Sequence, residues 1–241
     1  MNGLLKPHAV QSVVLALVVA LGWGPVRAAL IDTTTQGSWV GVYGNDGYIL
    51  CDFAVNSDNA HNSPAANSND VTSLPWYIAS YVYGAGAQQY MWENATGETR
   101  AVQDPAAPGG TRKAATSFDG DDFFVDFVAS QPGTFQLAVY ALDWDNFDGG
   151  RSIILNVPGD SAALSSFQDG KWAVFDIHLP TPQTFRLDVI DNQPSGSNNT
   201  ISAILFAGYT PVPEPSAATV LLTLGLFRLW RGGRRRAGQG R

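Results

Sequence analysis

Asp119-Gly120, Pro132-Gly133, Gly149-Gly150, Pro158-Gly159 and Asp169-Gly170 cut the second half of the chain into short pieces, and this punctuation constrains the fold more than any other feature. Each dipeptide favours a turn, glycine by tolerating positive φ and proline by fixing its own φ. Between them lie Lys113 to Phe118, Asp122 to Ala129, Thr134 to Trp144, Ser152 to Val157, Lys171 to His178, Thr184 to Ile190 and Thr200 to Tyr209, all rich in β-branched and aromatic residues. No window keeps a capped helical period over about three turns, and no parallel crossover unit fits between the breaks. The spacing predicts an all-β, antiparallel, jelly-roll-like sandwich of roughly nine or ten strands.

The first half is less regular. Ser38 to Tyr43 and Tyr48 to Phe53 flank Gly44-Asn45-Asp46-Gly47, which predicts a hairpin. From Asn56 to Ser73 the composition turns to Asn, Ser, Asp and Ala, too polar to bury, and predicts a surface loop. Further strands are expected at Trp76 to Tyr83 and at Gln89 to Trp92, followed by a polar connection from Gly97 to Gly110. Cys51 is the single cysteine, so no disulfide can form within the chain, and its apolar neighbours predict a buried thiol.

Both ends carry transport signals. Lys6, the apolar run Val13 to Leu21 and the small-residue site Val26-Arg27-Ala28 read as a secretory signal cut by signal peptidase after Ala28. At the other end, Pro213, Glu214 and Pro215 hold the backbone extended and accessible. The apolar stretch Ser216 to Phe227 follows, then Arg228 and the basic cluster Arg231, Arg234, Arg235 and Arg236. That order predicts a transmembrane sorting helix whose basic end stays cytoplasmic.

This tail resembles the PEP-CTERM sorting signal of exopolysaccharide-producing bacteria. The resemblance implies that an exosortase-type membrane enzyme recognises Pro213, Glu214 and Pro215 and processes the chain there. The protein would then be a substrate of that enzyme, held transiently in the inner membrane and delivered to the cell surface or outside. The expected partition is a signal peptide at 1–28, a β-sandwich domain at 29–210 and the sorting tail at 211–236.

The signals hide the charge of the body. The whole chain carries 21 acidic and 14 basic residues, but between Ala29 and Val212 there are 20 acidic and 6 basic residues, a net charge near −14. Such a surface repels nucleic acid and suits an extracellular setting.

The segments Thr35 to Tyr48 and Leu137 to Asp145 with Gly150-Arg151 are similar to a bacterial β-sandwich module found on secreted glycosidases and surface proteins, and to galactose-binding-like carbohydrate modules. That likeness implies a polysaccharide partner. A sugar site needs aromatic faces for the C–H side of a pyranose and planar polar groups for its hydroxyls. Trp39, Tyr43, Tyr48, Trp76, Trp92, Trp144 and Trp172 supply rings, and Asp143, Asp145 and Arg151 supply polar groups. The candidate ligand set is Trp39, Tyr43, Asp143, Asp145 and Arg151, against a competing reading in which the tryptophans, Trp144 included, are core.

No cofactor is required. Calcium is the one ion the acidic runs could serve, through Asp143 and Asp145, although an ion pair between Arg151 and either aspartate explains the same residues. Asp119-Gly120-Asp121-Asp122 is a second acidic cluster. No Gly-x-Ser-x-Gly elbow, paired-histidine metal motif or phosphate-cradling glycine loop is present, and the chain reads as a non-enzyme. The alternatives are a secreted glycan-acting hydrolase and a matrix protein with no ligand.

Overall fold

The structure, a computed structural model, describes residues 28–193 and 197–212. Residues 1–27, which make up all but the last residue of the expected signal peptide, and everything from Pro213 onward, including the Pro-Glu-Pro site and Arg231, Arg234, Arg235 and Arg236, lie outside the described residues. Among those described, no helix is long and apolar enough to cross a membrane.

Sixteen strands follow one another along the chain. They are β1 (Leu30–Asp32), β2 (Gly47–Leu50), β3 (Ala60–Asn62), β4 (Val71–Ser73), β5 (Ile78–Tyr83), β6 (Gln88–Thr96), β7 (Val102–Gln103) and β8 (Arg112–Asp119). The second half adds β9 (Phe123–Ala129), β10 (Gly133–Ala141), β11 (Ser152–Val157), β12 (Asp160–Ser165), β13 (Lys171–Leu179), β14 (Gln183–Asp191), β15 (Asn199–Ile201) and β16 (Ala203–Pro211). A front sheet runs β1-β13-β10-β16-β2-β4, a back sheet β12-β11-β14-β9-β5, and a smaller third sheet β15-β8-β6-β3 with β7 beside β8. All strand pairs are antiparallel.

Alternation explains the sandwich. Phe135, Leu137, Val139 and Ala141 of β10 point into the main core with Phe175 and Ile177 of β13, while Thr134 and Gln136 face water. Across the gap the back sheet contributes Val125, Phe127, Phe185 and Leu187, with the rings of Phe127 and Phe185 stacked 4.9 Å apart. Each buried phenylalanine contributes about 1.5–3 kcal/mol through the apolar area it removes from water.

The front sheet is covered on its other side too. Ala138, Tyr140, Leu142, Trp172 and Leu205 form a second cluster with Trp39, Leu50 and Val102. The lid over this cluster comes partly from the segment expected to be the first arm of a hairpin. Ser38 to Tyr43 is a turn rather than a strand: Gly41 has φ +83, and the amides of Val42 and Tyr43 both donate to the Trp39 carbonyl. The turn swings Trp39 and Tyr43 onto the sheet, and β2 pairs with β16 and β4 instead. Burying these rings on the sheet outweighed the local hairpin preference.

Three other expectations change. The polar segment from Asn56 to Ser73 forms β3, β4 and a 3₁₀ turn at Asn67–Asn69, because its asparagines bond to other elements; Asn62 Nδ2, for example, donates to Asp52 Oδ1. Asp160–Ser165 is a strand that composition concealed, paired to β11 across Pro158-Gly159. The run Thr200 to Tyr209 splits at Ser202, whose amide donates to the Tyr140 carbonyl and whose carbonyl accepts from Cys51. That bend sends β15 to the third sheet while β16 stays in the front sheet. It also brings the third sheet against the end of β10, where Asp143 lies.

Candidate functional site

The third sheet presents one face to a groove of about 240 Å³. Alternation on β6 directs Tyr90 and Trp92 to this face, and Gln89 and Met91 to the interior. The register slips between Met91 and Glu93, a bulge at Trp92 of the kind that re-aims a side chain. Thr116 and Phe118 of β8 continue the face, Asn198 and Thr200 extend it at β15, and His61 of β3 closes the far edge. The polar end comes from the loop after β10, with Asp145, Phe147 and Arg151.

The rings form a row. The His61 ring lies 5.7 Å from Phe118 and 6.3 Å from Tyr90, and Tyr90 meets Trp92 edge-on at 6.0 Å. His61 Nε2 is 2.6 Å from Gln88 Oε1. Phe147 is half exposed beside the Arg151 guanidinium, which lies 5.5 Å from its ring.

Arg151 organises the polar end. Its Nη1 donates to Asp143 Oδ1 and to Asp145 Oδ1, and its amide donates to Asp143 Oδ2 at 3.0 Å. Asp143 is fully buried, whereas the Asp145 side chain is 40% exposed. Burial works to raise the Asp145 carboxyl, but the hydrogen bond and charge of Arg151 outweigh it and hold the group below the ordinary carboxylate range. The Arg151 Nε–H is buried without an acceptor among the described residues. Behind the loop, Arg100 Nη1 donates to the carbonyls of Trp144 (3.0 Å) and Gln168 (3.1 Å), and its guanidinium covers the Trp144 ring at 3.9 Å.

A second polar cluster underlies β3 and β6. The Asp70 carboxylate accepts from the amide of Asp52, from Gln89 Nε2 and from the hydroxyls of Tyr81 and Tyr83. Asn62 Nδ2 donates to Asp52 Oδ1 at 3.0 Å, while Asp52 Oδ2 is buried without a partner among the described residues. Burial pushes Asp70 up to about 6 and Asp52 up to about 7. Cys51, beside them, is fully buried, and burial raises its thiol to about 12, which makes it an inert core residue.

Of the residues singled out from sequence, Asp145 and Arg151 line the groove, and Asp143 stands behind it as the buried partner of Arg151. Trp39 and Tyr43 are elsewhere. Trp39 is 3% exposed and its Nε1 donates to the Gln103 carbonyl; Tyr43 lies 5.0 Å from the Trp172 ring and donates to Asp32 Oδ2. Trp39 is buried and Tyr43 half-buried, and both pack against the outer side of the front sheet, away from the groove.

Asp143 and Asp145, the calcium candidates, share the Arg151 guanidinium, as the ion-pair reading of these residues expects. Asp119, Asp121 and Asp122 accept from backbone amides and shape a turn. No group of three or more His, Cys, Asp or Glu is gathered for a metal among the described residues. Sequence reasoning counted Trp92 among the available rings but missed Tyr90, Phe118, Phe147 and His61. The i, i+2 spacing of Tyr90 and Trp92 was the signal on offer.

No family model matches the chain, and no curated protein matches it. Among solved structures, the carbohydrate-binding module TmCBM61 in complex with beta-1,4-galactotriose shares 9% identity at TM-score 0.28, covering 54% of this chain and 88% of that one. The exo-beta-1,3-galactanase of Phanerochaete chrysosporium with beta-1,3-galactotriose shares 13% identity at TM-score 0.27, covering 76% of this chain and 56% of that one. Both likenesses are too slight to bear on ligand or activity.

Proposed function

We propose that the chain is an exported surface or matrix protein, sorted by its Pro-Glu-Pro tail, whose sandwich binds a polysaccharide in the groove on the third sheet. One observation carries the binding part: the half-buried rings of Phe118 and Tyr90, backed by the largely buried Trp92, lead to the polar pair Asp145 and Arg151. Rings of this kind take the C–H face of a sugar, and an oriented carboxylate and guanidinium fix its hydroxyls. The jelly-roll-like character belongs to the same reading, since the chain steps from back sheet to front sheet between β9 and β10, again between β12 and β13, and returns at β14.

The groove favours binding over hydrolysis. Paired-carboxylate glycoside hydrolysis needs an acid held protonated across the bond from a second carboxylate. Asp145 is the one carboxylate among the residues lining the groove, and Arg151 keeps it ionised. Export, tail processing by an exosortase-type enzyme and release are supported by the order of the signals at the two ends. The test of the binding reading is a glycan array probed with the full-length chain, with and without calcium. Saturable binding to a polysaccharide, lost on Tyr90→Ala, is the expected result; absence of saturable binding leaves the ligand-free matrix protein.

A further inference from the structure

The polar end of the groove carries its own selectivity, an inference that rests on the groove being a glycan site. Arg151 is the sole cation among the lining residues, and it is engaged twice, by Asp143 and Asp145. The three formal charges leave a surplus of one negative charge. Neighbouring cations lie outside the lining: Arg100 is paired with Glu98 and donates to the carbonyls of Trp144 and Gln168, and Lys113 Nζ is held by the carbonyls of Phe53 and Val55 and by Asn56 Oδ1. An entering anion would meet Asp145 with no free countercharge, inside a body whose net charge is near −14.

Hydrogen-bond chemistry points the same way. Ionised Asp145, 40% exposed, is acceptor-only, so it needs a donor from the ligand. A sugar hydroxyl supplies one; a carboxylate or sulfate oxygen cannot donate. We infer that the groove takes a neutral hexose polymer and rejects the same backbone when it carries uronate or sulfate groups.

Calorimetric titration of the full-length chain tests this at mildly alkaline pH and low ionic strength. The probes are paired oligosaccharides of one backbone, one neutral and one oxidised at C6 to the uronate. The neutral member should bind, and the uronate should bind about tenfold or more weakly, a gap that added salt narrows. Asp145→Asn should narrow the gap further by relieving the repulsion, and the salt series on the unaltered protein gives the same readout if that variant folds poorly. Uronate binding as tight as or tighter than neutral binding overturns the selectivity while leaving the glycan site standing. Binding of neither member overturns the glycan reading itself, and the selectivity with it.

Discussion

Arg151 lies on the carboxylate of Asp143 eight residues before it, at 3% and 0% exposure, so the loop that forms the polar end of the groove is closed by a buried ion pair. Removing one partner strands the other charge away from water. Asp143→Ala should therefore lower unfolding free energy by about 3–5 kcal/mol, while joint replacement of Asp143 by Leu and Arg151 by Met should restore much of it. Urea unfolding of the three proteins decides this. Equal midpoints for the unaltered protein and Asp143→Ala would mean that the pair does not hold the loop.

Truncating the ring row should separate binding from stability. Tyr90 and Phe118 are half-buried, so Tyr90→Ala and Phe118→Ala remove stacking surface at modest structural cost. Each is expected to weaken oligosaccharide binding about tenfold, or ~1.4 kcal/mol, with a small change in Tm. Trp39→Ala should do the opposite, costing about 3–5 kcal/mol of stability as a core deletion. Loss of binding in Trp39→Ala at temperatures where it remains folded would contradict the placement of the site.

The buried carboxyls give a pH dependence of known sign. Asp52 and Asp70 are raised in the folded protein to about 7 and about 6, so the folded state holds protons that the unfolded chain has released. Their stabilising share is complete below the ordinary carboxylate value of about 4 and is lost as pH rises through 6 and 7. Asp145 and Asp126 are lowered and act oppositely, but at pH near and below about 4. Between about pH 5 and 8, Tm should fall as pH rises, and Asp52→Asn should flatten that slope. A slope unchanged by the substitution would remove Asp52 from the account.

Sorting has its own test. Replacing Pro213, Glu214 and Pro215 by alanine should leave the full-length precursor in the membrane fraction of the producing cell. Normal release of a shortened protein, with its C-terminal mass unchanged, would dismiss the recognition role.

What the sequence revealed follows the range of the forces involved. Lys171 to His178 and Ser152 to Val157 were legible as strands because alternation and flanking glycines are local signals, and they reappear as Lys171–Leu179 and Ser152–Val157. The Arg151 pair was legible as one option, since its partners lie within eight residues. Ser38 to Tyr43 misled because its aromatics are there to cover a surface made by β10 and β13, a demand set nearly a hundred residues away.

The groove was partly hidden for the same reason. His61, Tyr90, Phe118 and Thr200 meet only through the pairing of four strands, and His61 lies in a segment whose composition reads as loop. Trp144 lies past the end of the strand expected to hold it: β10 ends at Ala141, and Trp144 is half-buried under Arg100.

Strand β16 runs from the groove to the start of the tail. It begins one residue past β15, which lines the groove through Thr200, and ends at Pro211, where the chain departs toward its tail. Were a polymer held in the groove and the tail held in a membrane, tension would run lengthwise down nine residues, about 30 Å, of a strand that β10 flanks along its length and β2 flanks only from Ala203 to Phe206. Antiparallel ladders loaded in that direction share the force across many bonds at once, so such a load would meet shear resistance rather than peel the strands one bond at a time.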